Sequence, residues 1–165
     1  MNSCTSALEC AIKCLKKKGE IIVPSFTWVS SANAIINTGC KPVFVDIDLN
    51  SRNIDPNRLE KNITKRTIAI MVVHFSGLPC DMDPILKVSK KYNLPIIEDS
   101  AETLGAKYKG NFTGTFGLGC FSFFPTKNIT TTEGGMLTLK KKSMYEEAKK
   151  LIAHGIKKER KYFWQ

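Results

Sequence analysis

Short apolar runs rich in β-branched residues lie near positions 21, 43, 69 and 95, and stretches with helical apolar spacing separate them. That alternation constrains the fold more than any single residue does. A run that is apolar at consecutive positions, such as Ile68-Ala69-Ile70-Met71-Val72-Val73, suits a strand covered on both faces. Strands of that kind joined through helices specify an α/β fold, a mostly parallel sheet with right-handed crossovers. Ligands of such sheets gather beyond the carboxyl ends of the strands. Ser25, Trp28, His74 and Asp99 all fall near such ends.

In chain order, Ser3 or Thr5 caps a first helix whose apolar face is Ala7, Leu8, Ala11, Ile12 and Leu15. Lys16-Lys17-Lys18 suits its carboxyl end, and Gly19 stops it. A helix start with hydroxyls and free backbone N–H groups is an anion site suited to a phosphate, although an ordinary cap explains the same residues. Glu20–Pro24 reads as a strand, a helical segment runs to about Asn37, and Lys41–Ile47 is the next strand. Trp28 can stack on a flat ring, but taken alone it is better explained as a buried packing residue. Asp46 and Asp48 lack a nearby histidine or further carboxylates, so they read as a solvated strand end and turn rather than a metal pair. A helix opens at Asp55-Pro56 and ends before Thr64. Thr67–Val73 is a buried strand with His74 at its exit, and no neighbouring nucleophile argues for more than a hydrogen-bonded structural role there. Asp81–Tyr92 is helical, and Leu94–Glu98 is the strand that carries Asp99.

The most chemically specific stretch runs from Ile96 to Leu139. It opens with the acidic pair Glu98-Asp99. Glycines at 105, 110, 114, 117 and 119 mark turns, and they lack the G-x-x-x-x-G-K-[ST] order of a nucleoside triphosphate loop. Cys120–Phe124 is a short aromatic strand, and Lys127 follows in a Ser/Thr/Gly-rich loop. Gly134–Leu139 is a further strand, antiparallel to its neighbour. A helix spans Ser143 to about His154, and the tail Lys157–Gln165 has no clear partner. If Asp99 and Lys127 converge, they meet the needs of a pyridoxal phosphate site. The lysine forms a Schiff base with the cofactor aldehyde, and the carboxylate keeps the pyridine nitrogen protonated so that the ring accepts electrons.

A length of 165 residues with 42% hydrophobic content supports one domain with a real core. The net charge of +10 invites a nucleic-acid reading. The lysine clusters, however, lie at helix ends and turns, with few aromatics between them to stack bases, so solvated surface explains them better. Cysteines at 4, 10, 14, 40, 80 and 120 form no C-x-x-C pair and have no histidine pattern for zinc, and Cys10 and Cys14 read as small apolar residues in a reducing setting. No apolar run approaches a membrane span and no signal peptide pattern is present, so the expectation is a cytoplasmic protein without membrane partners.

The chain resembles the DegT-type (DegT/DnrJ/StrS) family of pyridoxal phosphate-dependent sugar aminotransferases. The resemblance runs through SCTSAL at 3–8, IIVPSFTWVSSANAI at 21–35, KPVFVDID at 41–48, EDSAETLGAKYKG at 98–110 and FSFFPTKNITTTEGGM at 121–136. It implies a three-layer type I aminotransferase-like large domain, here partial, with the N-terminal segment and C-terminal small domain absent. Lys127 would be the Schiff-base lysine and Asp99 the partner of the pyridine nitrogen. Thr5, the backbone around Ser6, and Ser122 would bind the phosphate, and Trp28 would stack on the ring. Glu102 stands near the cofactor's phenolic oxygen, where the family usually has Gln or His, and Cys4 stands where Gly or Ala is common. Lys127 favours transamination, since family dehydratases have His there. The implied partners are an amino-acid donor, usually glutamate, a nucleotide-sugar acceptor, and a second copy or a complementing chain that completes the site. A non-catalytic remnant or half of a split enzyme, and less so a basic nucleic-acid-binding domain, are the rival expectations.

Overall fold

The computed structural model describes residues 1–153 and 155. The expected end of the last helix near His154 and the tail Lys157–Gln165, including Lys157-Lys158, lie outside the described residues. Among those described, the strands in chain order are β1 (Glu20–Pro24), β2 (Lys41–Val45), β3 (Thr67–Val73), β4 (Ile96–Asp99), β5 (Lys107–Tyr108), β6 (Asn111–Phe112), β7 (Leu118–Ser122) and β8 (Gly135–Thr138). Helices α1 (Cys4–Cys14), α2 (Val29–Asn37), α3 (Met82–Tyr92) and α4 (Lys142–Ile152) intervene. Six strands form one sheet in the order β2-β1-β3-β4-β7-β8, parallel throughout except for the antiparallel pair β7-β8. The mostly parallel sheet is as the alternation of runs implied, and the last strand is antiparallel as expected for Gly134–Leu139.

Each covered strand sends alternate residues to two cores. Ile21, Val23, Ala69, Met71 and Ile97 meet α1, α2 and α4 on one face, through Leu8, Ile12, Ile35 and Ala148. Ile22, Ile70, Val72 and Ile96 meet α3 on the other face, through Met82, Ile85 and Val88, together with Ile54 and Leu59. The result is three layers. Among the described residues no helix is long and apolar enough to cross a membrane. All six cysteines are buried and unpaired.

Four local expectations change. The segment from Asp55 is not an α-helix but two 3-10 turns, Pro56–Arg58 and Glu60–Asn62. Asp55 does cap the first, accepting from the Asn57 amide at 2.9 Å, but Leu59 and Ile63 alone make too short an apolar face to hold a longer helix. The strand expected over Lys41–Ile47 stops at Val45, and Ile47 instead bridges Ile54 across a turn that Asp48 ties by accepting from Asn50 and Ser51. The glycine-rich stretch contains the hairpin β5-β6. Trp28 is not a packing residue: it is 77% exposed.

Candidate active site

Strands β3 and β4 end level with one another, because Val73 pairs with Asp99, and β7 runs on two residues past the Cys120 that pairs with Asp99, to Ser122. Beyond their carboxyl ends lies a cleft of about 800 Å³, into which Thr5, Trp28, Asp99, Glu102, Ser122 and Lys127 all face. The sheet register supplies the acid, the start of α1 supplies one wall, and the loop after β7 supplies the amine.

The α1 wall is an anion site by construction. Ser3 is the N-cap, and its Oγ accepts from the Ser6 amide at 3.1 Å. Ser6 Oγ lies 3.1 Å from Ser3 Oγ, so both polar groups of Ser6 are engaged within the cap and its side chain does not line the cleft. The amides of Cys4 and Thr5 meet no acceptor among the described residues. They stand with the Thr5 hydroxyl at the positive end of the helix. Gly135 makes this approach possible: a Cβ there would overlap the Ser3 carbonyl and crowd the Cys4 amide. The Gly135 amide donates to the Met1 carbonyl at 3.0 Å, which ties β8 to the helix start.

Asp99 forms the floor and is 5% exposed. One carboxylate oxygen accepts from Ser31 Oγ at 2.7 Å; the other accepts from the Ala101 amide at 3.2 Å and lies 3.8 Å from Cys4 Sγ. Burial pushes the carboxyl above its ordinary value, while the Ser31 hydroxyl, the Ala101 amide and the Lys127 charge pull it back. The same burial raises the Cys4 thiol, helped by the Asp99 charge, so Cys4 is not a nucleophile here.

Lys127 is held by a turn in which its amide donates to the Phe124 carbonyl at 2.9 Å, and its Nζ lies 3.3 Å from Glu102 Oε1. The other Glu102 oxygen accepts from the Ser76 amide at 2.7 Å, in a tight turn where Ser76 has φ 53°. Glu102 is thus turned toward the lysine and away from the floor. Ser122 Oγ accepts from the Phe124 amide at 3.3 Å and faces the cleft. Trp28 caps α2 with its indole on the rim, and Phe26 and Phe75 continue that wall with ring centroids 4.8 Å apart.

Of the other two strand-end residues, one misses the cleft and one has a structural role. Ser25 is exposed but does not line the cleft. His74 reaches the cleft, yet its ring is spent: Nδ1 accepts from the Cys80 amide at 3.0 Å, which leaves Nε2 to donate to Glu98 at 3.2 Å. That is the structural role expected of it. Ser31, Glu98 and Ser76 are missed by sequence reasoning, because their partners are distant in sequence and no local spacing signals them.

Comparison with known proteins places the chain in one family and fold. The sequence model of the DegT/DnrJ/EryC1/StrS aminotransferase family matches residues 1–165. The GDP-perosamine synthase of Escherichia coli O157:H7 is 43% identical over 162 residues, covering 96% of this chain and 44% of that protein. The crystal structure of S. venezuelae DesV in complex with a ketimine intermediate superposes with a TM-score of 0.93 at 34% identity, over 97% of this chain and 44% of that one. Spr1654 of Streptococcus pneumoniae in its PLP form gives 0.87 at 35% identity, over 93% of this chain and 45% of that one. The chain spans less than half the length of the curated relatives it matches.

Proposed function

The chain belongs to the DegT/DnrJ/EryC1/StrS aminotransferase family, and from that premise we propose that it carries the pyridoxal phosphate site of a sugar aminotransferase. The reaction is transfer of an amino group from an amino acid, glutamate by preference, to a keto group of a nucleotide-linked sugar. One observation carries the reading: Lys127 and the buried Asp99 face a single cleft whose wall is a helix start with two free amides.

The residues present fit the cofactor. A carboxylate buried without an ion-pair partner in contact suits a cationic ring nitrogen. The amides of Cys4 and Thr5, the Thr5 hydroxyl and Ser122 Oγ suit a phosphate, and the Gly135 close approach keeps that cradle in place. Ser6 contributes by shaping the helix start. The exposed Trp28 indole suits one face of the ring. When bound, the cofactor supplies a carbon that accepts amines and a ring that takes up the electrons of a broken α C–H bond.

Lys127 Nζ would be the covalent anchor of the cofactor and, as a free amine, the base positioned to move the donor's α-proton. For either task it must leave Glu102 and become unprotonated. Asp99 would hold a proton on the ring nitrogen. Glu102, anchored on the Ser76 amide, stays beside the lysine and limits where the released ammonium goes.

The 165 residues are read as part of the large domain, with a second copy or a complementing chain completing the substrate site. Six unpaired cysteines support a reducing, cytoplasmic setting. The test is a visible spectrum of the chain with added pyridoxal phosphate, followed by borohydride reduction and peptide mapping. The expected result is a shifted absorbance and a label on Lys127, with both lost in Lys127→Ala. An unchanged spectrum, or a label on another lysine, overturns the reading and favours a non-catalytic remnant.

A further inference from the structure

Asp99 is not held by the strand that carries it. Its Oδ2 receives the Ser31 hydroxyl from α2, 68 residues away in sequence, at 2.7 Å. Ser31 is fully buried, and its Oγ lies 2.8 Å from Thr27 Oγ1. Since the Ser31 proton is committed to Asp99, Thr27 donates to Ser31, and the two hydroxyls form a chain with one polarity. Thr27 is half-buried and lines the cleft, so this chain joins the buried floor to the wall.

From this geometry we infer that Ser31, itself oriented by Thr27, is a positioning residue for Asp99, fixing which carboxylate oxygen is spent inside the protein and which remains for a ligand in the cleft. An Asp99 protonated on Oδ2 would have to reverse the chain, donating to Ser31 and turning the Ser31 proton toward Thr27, and one protonated on Oδ1 would leave Oδ2 a carbonyl oxygen, a weaker acceptor than a carboxylate. The hydroxyl pair in its present order therefore selects the ionised carboxylate. The inference rests on the reading of the cleft as a pyridoxal phosphate site only for its purpose; the hydroxyl chain acts on Asp99 whether or not the cofactor is present.

The other groups that face Asp99 are Cys4 from α1, Cys120 from β7, His74 at the end of β3 and Lys127 from the loop after β7. None of them changes when Ser31 is replaced. The experiment is a carboxyl-carbon NMR titration of Asp99 in the chain without cofactor, with Asp99→Asn identifying its resonance and a thermal melt confirming that each variant folds. Ser31→Ala should raise the Asp99 midpoint, Ser31→Thr should return it to the parent value, and Thr27→Val should raise it less. In parallel, Ser31→Ala should weaken pyridoxal phosphate capture about tenfold, the weight of one hydrogen bond to a charged group. A parental titration in Ser31→Ala, or a Ser31→Thr variant that behaves like Ser31→Ala, overturns the positioning role. A parent that captures no cofactor overturns the cofactor reading instead, and the titration still decides the role of Ser31.

Discussion

Glu98 and Asp99 are consecutive carboxylates at the end of one strand, and the pleat sends them to opposite faces of the sheet. Glu98 is fully buried among donors: His74 Nε2 at 3.2 Å, the Gly114 amide at 2.7 Å and the Gly117 amide at 2.6 Å. It is satisfied, and it pins the turn that brings the chain back into β7. Asp99 has the Ser31 hydroxyl, one amide and a weak thiol, and it faces a cleft. Two neighbouring buried acids can thus be told apart by what remains for them to bind, which identity and burial alone do not reveal.

Glu98→Ala should give the largest effect. It leaves three buried donors without acceptors, and the expected loss of stability is about 3–5 kcal/mol by urea denaturation. A variant that kept its stability and lost only cofactor capture would reverse the assignment of the two acids.

Asp99→Asn should do the opposite. Because burial raises this carboxyl, the native state keeps its proton over a range of pH where the unfolded chain has released it. The stabilisation from that proton is complete below the ordinary aspartate value of about 3.9 and disappears as pH rises through the raised native value. At neutral pH the neutral amide should therefore fold within about 1 kcal/mol of the parent or better, and its denaturation midpoint should be less sensitive to pH across that range. Capture of pyridoxal phosphate, followed by absorbance, should fall about thirtyfold or more, the lower end of the ~2–5 kcal/mol for removing one partner of a buried pair.

A pair of glycines sharpens the same contrast. A Cβ on Gly117 would overlap the Ile96 carbonyl on the Glu98 side, and one on Gly135 would overlap the Ser3 carbonyl on the Asp99 side. Both alanine variants should lose about 1–3 kcal/mol, since rigid backbone must move in each. Only Gly135→Ala should also weaken cofactor capture, because it displaces the amides of Cys4 and Thr5.

The parallel sheet was legible because strands covered on both faces leave unbroken β-branched runs, as in Thr67–Val73. Asp99 and Lys127 stood out because an acid at a strand end and an amine in a polar loop are chemically conspicuous. Four other features depend on tertiary placement. The roles of Glu98 and Ser31 are set by partners 16 to 68 residues away, which no local period records. Trp28 carries a side chain whose type alone suggests a core, yet it caps α2 at the rim. The turns after Asp55 fail as a helix because only Leu59 and the partly buried Ile63 of that segment reach the core. The β5-β6 hairpin is two residues per strand, too short for an alternating pattern to register.

Glu102 should give the smallest effect, and its direction is informative. Its pair with Lys127 is 3.3 Å long, with side-chain exposures of 42% for Glu102 and 22% for Lys127, so it is an ion pair open to solvent rather than a buried one. Such pairs contribute about 0–1 kcal/mol. Glu102→Gln keeps an oxygen for the Ser76 amide, and its stability should stay within about 0.5 kcal/mol of the parent. It breaks the ion pair that Lys127 must leave to reach the cofactor, so cofactor capture at neutral pH should become tighter, by up to about fivefold. The advantage should shrink as salt screens the pair in the parent. Weaker capture in Glu102→Gln would mean that the carboxylate helps to hold the cofactor, and the Asp99 side of the strand would then contain two functional acids rather than one.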